Sequence, residues 1–164
     1  MCENLLREGG QLDVIDTFKG TPEEWGMRKV EKRLLCNPSG LIETFKHNIS
    51  FFSHIDFNIM EGSSQALLPK LCDQTREFYD FIYIDASHRS ADTFVDAYYA
   101  HQLLKPGGIL VFDDYEWGSE EGQRRPDLAP NDTPQLGIDL FYRLHQEAYS
   151  LIWQGYQVYL SKNN

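Results

Sequence analysis

An acidic chain of 164 residues, formally −10 at pH 7, has no electrostatic reason to seek a nucleic-acid backbone or an anionic membrane surface. With 41% hydrophobic and 13% aromatic residues it can bury one real core, so a single domain over residues 1–164 is expected rather than two. No apolar run reaches the length of a bilayer span and the first residues are not those of a signal peptide; Cys2, Cys36 and Cys72 have neither metal nor redox spacing, and together these features predict a reduced, cytoplasmic setting.

From the N-terminus, Cys2 to Glu8 reads as the end of a helix that Gly9-Gly10 stops. Gln11 to Asp16 is a short strand closing on an acid, which by itself suits an Asx-turn into Thr17-Phe18. Thr21 is placed to cap a helix start, with Pro22 at its first position and Glu23 and Glu24 in its first turn; Trp25 there reads as packing. Ser39 to Phe51 sets Leu41, Ile42, Phe45 and Ile49 on one side of a helix, with His47 and His54 as surface residues near its end. Phe57 to Met60 is the next strand. Glu61-Gly62-Ser63-Ser64 follows, with Ser63 positioned to cap a helix over Gln65 to Cys72.

The most informative stretch runs from Tyr79 to Trp117. Phe81 to Ile84 is a continuous apolar run, the mark of a strand buried on both faces, and it ends at Asp85. Ala91, Phe94, Val95, Tyr98, Tyr99 and Leu103 recur at helical spacing, with Ser90 placed to cap the start. Lys105-Pro106-Gly107-Gly108 breaks that helix, and a second apolar run, Ile109 to Phe112, ends at Asp113 and Asp114. A strand–helix–strand unit of this length predicts parallel strands with their carboxylates at one edge of the sheet, where α/β folds bind ligands. Neighbouring strands lie about 4.8 Å apart, so acids closing two of them can reach one small cation; the bland role for each is a cap or turn.

Gly118 to Pro134 is a long polar loop, in which Arg124 and Arg125 read as solvated. Gln135 to Gln146 is a helix around Ile138, Phe141 and Leu144. Ser150 to Trp153 and Tyr156 to Leu160 are strands joined at Gln154-Gly155.

FIYIDASH followed by LLKPGGILVFDDYEW resembles the second half of a class I S-adenosylmethionine-dependent methyltransferase, closest to small-molecule O-methyltransferases of the macrocin type and, more distantly, the catechol type. The resemblance covers about Leu12 to Lys162, and VIDTFKG matches the family's D-[ST]-F-x-G. It implies a Rossmann-like α/β fold, mostly parallel, with helices on both faces and a C-terminal antiparallel hairpin. It also implies a first strand and glycine-rich turn before this point, and the chain starts inside the helix that follows them, which leaves the cofactor site half built. By the same resemblance Asp16 holds the cofactor ribose, and Gly62-Ser63-Ser64, commonly G-D-S in the family, sits beside the adenine. Asp85 serves cofactor and metal, and with Asp113 and Asp114 it coordinates Mg²⁺ or Ca²⁺, cations that suit hard oxygen ligands.

A metal of that kind lowers the pKa of a hydroxyl and lines its oxygen up with the methyl group. Ser87 occupies the place where some macrocin-type relatives carry an acid; His88 follows it and is the expected base or acceptor contact, with capping or packing as its other reading. Tyr115, Glu116 and Trp117 should face the acceptor, a small-molecule hydroxyl compound. A sheet without its middle strand exposes backbone donors and acceptors and predicts a homodimer. The rival reading is an incomplete remnant serving as a binding or assembly module. A nicotinamide dehydrogenase is disfavoured, because no G-x-G-x-x-G follows any strand.

Overall fold

The structure, a computed structural model, describes residue 6 and residues 9–19, 38–118 and 132–164. The expected helix end at Cys2 to Glu8, the helix start at Thr21 to Trp25, Cys36, and the loop carrying Arg124 and Arg125 fall on residues outside the described ones, Leu6 apart. The chain divides into two compact units, Met1–Ser63 and Ser64–Asn164.

The first unit holds strand β1 (Gly10–Asp16), helix α1 (Pro38–Ile49) and strand β2 (Ile55–Glu61). The two strands pair in parallel from Gly10↔Ile55 to Asp16↔Glu61. Phe18 anchors the turn after β1: it is buried and left-handed (φ +52°), with its ring 5.5 Å from that of Phe45 on α1. The helix stops before Phe51, which is largely exposed.

The second unit contains α2 (Ser64–Gln74), β3 (Tyr79–Ile84), α3 (Ser90–Leu103), β4 (Leu104–Phe112), α4 (Pro134–Leu144), β5 (Tyr149–Gln154) and β6 (Val158–Lys162). Its sheet has the order β3-β4-β6-β5; β3 and β4 are parallel, as the strand–helix–strand reading requires, and the β4–β6 and β6–β5 pairs are antiparallel. Among the described residues no strand joins this sheet to the β1–β2 pair. One face buries Leu110, Phe112, Val158 and Leu160 against Ala97 and Ala100 of α3 and Ile138 and Phe141 of α4, with the Phe112 and Phe141 rings 5.9 Å apart. The pleat turns the alternate residues Tyr83, Val111 and Tyr159 to the other face.

Three local expectations give way to tertiary contacts. Lys105 to Gly108 is not a free turn. Strand β4 already pairs at Tyr79↔Leu104 and resumes at Phe81↔Ile109, so the Pro-Gly-Gly segment is absorbed as a bulge. Ser90 is not the cap of α3; Arg89 holds that position without a side-chain bond. Instead the Ser90 N–H and hydroxyl both donate to Asp132 Oδ1, at 2.8 and 2.7 Å, so a carboxylate distant in sequence meets the positive helix end. Tyr156 and Gln157 belong to the hairpin turn rather than to β6. The Tyr115 N–H donates to the Tyr156 carbonyl (2.8 Å) and the Gly155 N–H to the Gln157 carbonyl (2.9 Å), which delays the strand to Val158.

The other end of α3 is closed by Lys162, whose buried Nζ donates to the carbonyls of His101 (2.9 Å) and Leu104 (2.8 Å). In the middle of the helix stands Asp96, only 3% exposed, with Oδ2 accepting from Ser64 Oγ at 3.0 Å and Oδ1 without a partner. Burial pushes its carboxyl up to about 6, opposed by the Ser64 hydrogen bond and reinforced by Asp92. A carboxyl raised on folding contributes stability that is complete below its unfolded value and is lost as pH rises through about 6. At ~1.4 kcal/mol per pH unit this costs the folded state up to about 3 kcal/mol near neutrality. Asp96→Asn keeps an acceptor for Ser64 and removes the charge. Thermal melts should therefore show the variant more stable than the parent at neutral pH, with the gap closing near pH ~4. A gap that is constant with pH would contradict this account.

Candidate active site

Strands β3 and β4 finish side by side at Ile84↔Phe112, and the Asp113 N–H donates to the Ile84 carbonyl at 2.9 Å. Asp85, Asp113 and Asp114 therefore leave the same edge of the sheet. With Ser87 and His88 they line a cleft of about 10 Å³, room for roughly one water molecule. The sequence expectation that these side chains share one rim is met.

The carboxylates of Asp113 and Asp114 are engaged by the protein. Tyr83 Oη donates to Asp113 Oδ2, and Gln157 Nε2 donates to Asp113 Oδ1 (3.1 Å) and to Tyr83 Oη (2.9 Å). Tyr159 Oη, at 2.6 Å from Gln157 Oε1, orients that amide. Asp114 is left-handed (φ +56°), a conformation that Asp tolerates better than most residues. Its N–H bonds Asp113 Oδ1 (2.9 Å), its Oδ1 accepts from Tyr156 Oη (2.6 Å), and its Oδ2 lies 2.9 Å from His88 Nε2. Burial first, and then the hydrogen bond to Asp113, raise the Tyr83 phenol. Donation to Asp114 is the main reason that Tyr156 is pushed up to about 12. Both phenols thus remain protonated donors.

An ionised carboxylate only accepts, so His88 Nε2 carries the proton toward Asp114, and in the neutral ring Nδ1 keeps a free lone pair. Nδ1 is closed to solvent and has no hydrogen-bond partner. Trp117 stacks on the imidazole, with centroids 4.3 Å apart and planes at 23°. This sets the ring plane, much as a carboxylate orients the histidine of a hydrolase triad.

The hard oxygens of the three aspartates are the right chemistry for Mg²⁺ or Ca²⁺. As they stand, however, each oxygen of Asp113 and Asp114 already meets a protein donor, and among the described residues no three His, Cys, Asp or Glu side chains gather so as to hold a metal ion. A cation at this rim would have to displace the donors that Asp113 and Asp114 now hold.

Of the other expected residues, Asp16 is exposed in the first unit. Its Oδ1 accepts the Phe18 N–H at 2.7 Å, so the Asx-turn is present, and its carbonyl accepts from the Gly62 N–H at 2.9 Å. Ser63 is partly buried between Gly62 and the start of α2. The Ser64 hydroxyl is committed as a donor to Asp96, leaving its oxygen lone pairs for a ligand. Tyr115 does not face an acceptor pocket: it is 7% exposed in the core, donating to Asp139 Oδ1 (2.9 Å) and accepting from Gln154 Nε2 (3.0 Å). Its neighbour Trp117 does reach the site, through His88. Tyr83, Tyr156 and Gln157 were not anticipated. The one signal for Tyr83 is a polar-tipped ring inside an apolar strand, and nothing local marks the other two.

Among solved structures, the chain resembles the O-methyltransferase NovP (19% identity, TM-score 0.62, covering 93% of this chain and 60% of that one). It also resembles the O-methyltransferase TomG from Streptomyces achromogenes, involved in tomaymycin synthesis and solved with SAM (15%, 0.56, 96% and 74%). A third likeness is to the methyltransferase MycE of the mycinamycin pathway, solved with Mg, SAH and mycinamycin VI (15%, 0.52, 94% and 45%). At such identities the likeness shows the fold, Rossmann-like α/β with a C-terminal antiparallel hairpin. The chain spans less than two thirds of the length of NovP and less than half that of MycE. No curated protein matches it, and no helix among the described residues is long and apolar enough to cross a membrane. Residues 1–115 match the family model described as a methyltransferase domain, and the chain belongs to that family.

Proposed function

We propose that this chain takes part in S-adenosylmethionine-dependent methyl transfer to the hydroxyl of a small molecule. The observation that carries the reading is the Asp114–His88 pair at the carboxyl edge of the parallel strands, in a chain of the methyltransferase family. The acceptor O–H gives its proton to His88 Nδ1, which is closed to solvent under the Trp117 stack and has to be uncovered as the acceptor enters. When bound, S-adenosylmethionine would supply an electrophilic methyl group to the acceptor oxygen, the carbon–sulfur bonding pair staying with the sulfur of S-adenosylhomocysteine. Asp114 steadies the imidazolium through Nε2. A buried nitrogen without a partner costs about 1–3 kcal/mol, and a hydroxyl donating to Nδ1 removes that cost.

Cofactor contacts fall on Asp16 for the ribose hydroxyls, on Gly62, Ser63 and Ser64 for the adenine, and on Asp85, each by the family resemblance. Mg²⁺ accompanies SAH in MycE. A divalent ion at Asp85, Asp113 and Asp114 belongs to the same proposal; holding it would require Tyr83, Gln157, Tyr156 and His88 to give up their bonds to Asp113 and Asp114. A homodimer and a cytoplasmic setting belong to the same proposal, the dimer supported by β3, which among the described residues pairs on one edge only.

Calorimetry with S-adenosylhomocysteine, with and without Mg²⁺, tests the reading, and sedimentation in the same buffers tests the dimer. Saturable heat in the micromolar range is expected. Absence of heat under both conditions would leave the chain as a remnant serving as a binding module. Heat only with Mg²⁺ would mean that the three aspartates rearrange to hold the ion.

A further inference from the structure

The cleft at the aspartates holds no more than about one water, so an acceptor ring system must lie elsewhere. A shallow groove of about 450 Å³, largely open to solvent, in the same unit is lined by Ile152, Trp153, Tyr156, Gln157 and Tyr159. Ile152 and Trp153 on β5 are 56% and 62% exposed, unusual for large apolar side chains side by side. Two lining residues join the groove to the acid rim. Tyr156 Oη bonds Asp114, and Gln157 Nε2 bonds Asp113. Asp114 in turn holds His88.

We propose that this groove binds the acceptor, and that the acceptor is a planar, uncharged ring compound whose hydroxyl points along Tyr156 toward Asp114 and His88. The rings of Trp153 and Tyr159 and the side chain of Ile152 offer flat apolar area, which favours stacking. The lining provides the Gln157 amide, two phenols and the Trp153 indole N–H as its polar groups, too few to satisfy the many hydroxyls of a bare sugar. Asp113 and Asp114 are bonded to two of the lining residues in a chain of net charge −10, so an anionic acceptor is repelled. The ring-binding claim stands without the methyl-transfer reading, whereas the direction of the hydroxyl rests on it.

The test uses 2-naphthol, neutral at neutral pH, and 6-hydroxy-2-naphthoate, the same ring with a negative charge. Isothermal titration should show naphthol binding the parent chain about tenfold more tightly than the naphthoate. Trp153→Ala should weaken naphthol by about tenfold, and Trp153→Phe, which keeps a ring, should retain most of the affinity. Equal binding of the two probes, or unchanged affinity in Trp153→Ala with its melting curve intact, overturns the proposal. So does a Trp153→Ala chain that sediments as a smaller species while the parent binds no naphthol, because the groove is then covered by a second copy. Failure of S-adenosylhomocysteine to bind the parent would sink the methyl-transfer reading and leave the naphthol result untouched.

Discussion

Replacing His88 by Ala is expected to lower methyl transfer to a neutral hydroxylated ring by about 10²–10⁴-fold, the usual worth of a general base. Affinity for S-adenosylhomocysteine should stay within a few-fold, because the imidazole contacts Asp114 and Trp117 and neither is assigned to the cofactor. Asp114→Asn should cost about as much. An amide at this place can donate to the ring nitrogen, which selects the tautomer with its proton on the catalytic side, as happens when the triad aspartate of a serine protease is replaced. Formation of S-adenosylhomocysteine with time is the readout. A His88→Ala chain that keeps more than about a tenth of the parent rate would remove His88 from the reaction and shift attention to Asp114 itself. Tyr156→Phe provides the control on the other oxygen of that carboxylate. Losing one donor there leaves the His88 bond in place, so its loss of rate should be smaller than either of the first two.

The largest structural effect is expected at Gly137. Alanine is the better helix former by about 1 kcal/mol, so on propensity alone Gly137→Ala in α4 should stabilise the chain. The geometry reverses that sign. A Cβ at this position would lie 2.3 Å from the Ser90 carbonyl oxygen and 3.1 Å from Thr93 Cβ, at the crossing of α4 over the first turn of α3. The backbone there cannot step aside freely, since Ser90 is tied to Asp132 by two hydrogen bonds and Thr93 Oγ1 to the carbonyls of Ser87 and Arg89. Urea denaturation should show a loss of about 3 kcal/mol. A gain in stability would mean that the two helices are not in such close approach. Because α3 starts two residues after His88, a displaced crossing should also disturb the site, with lower activity in the fraction that remains folded.

How much of this was legible in advance depended on the range of the interaction. Apolar runs ending in acids announced β3 and β4 as neighbouring parallel strands, because a strand buried on both faces must be continuously apolar and a helical crossover forces the parallel sense. The three aspartates shared a rim for that reason alone, and His88 lay within reach of it. Helix and strand identities followed likewise, with boundaries off by a few residues where a cap or bulge was set from afar.

Chain order and side-chain chemistry alone dictated the fold class, the acid edge and the family. Packing decided which donors occupy the acids: Tyr83 crosses from β3, Tyr156 and Gln157 arrive from a hairpin turn more than 40 residues later, and Asp132 rather than Ser90 meets the start of α3. Tyr115, expected beside a substrate, was drawn into the core instead, with Asp139 and Gln154 on its hydroxyl. A carboxylate at a strand end can ligate a metal ion or accept a hydrogen bond from a phenol or an imidazole, and residue type does not distinguish among these roles. Only the partners delivered in three dimensions do, because each hydrogen bond needs its donor within about 3 Å.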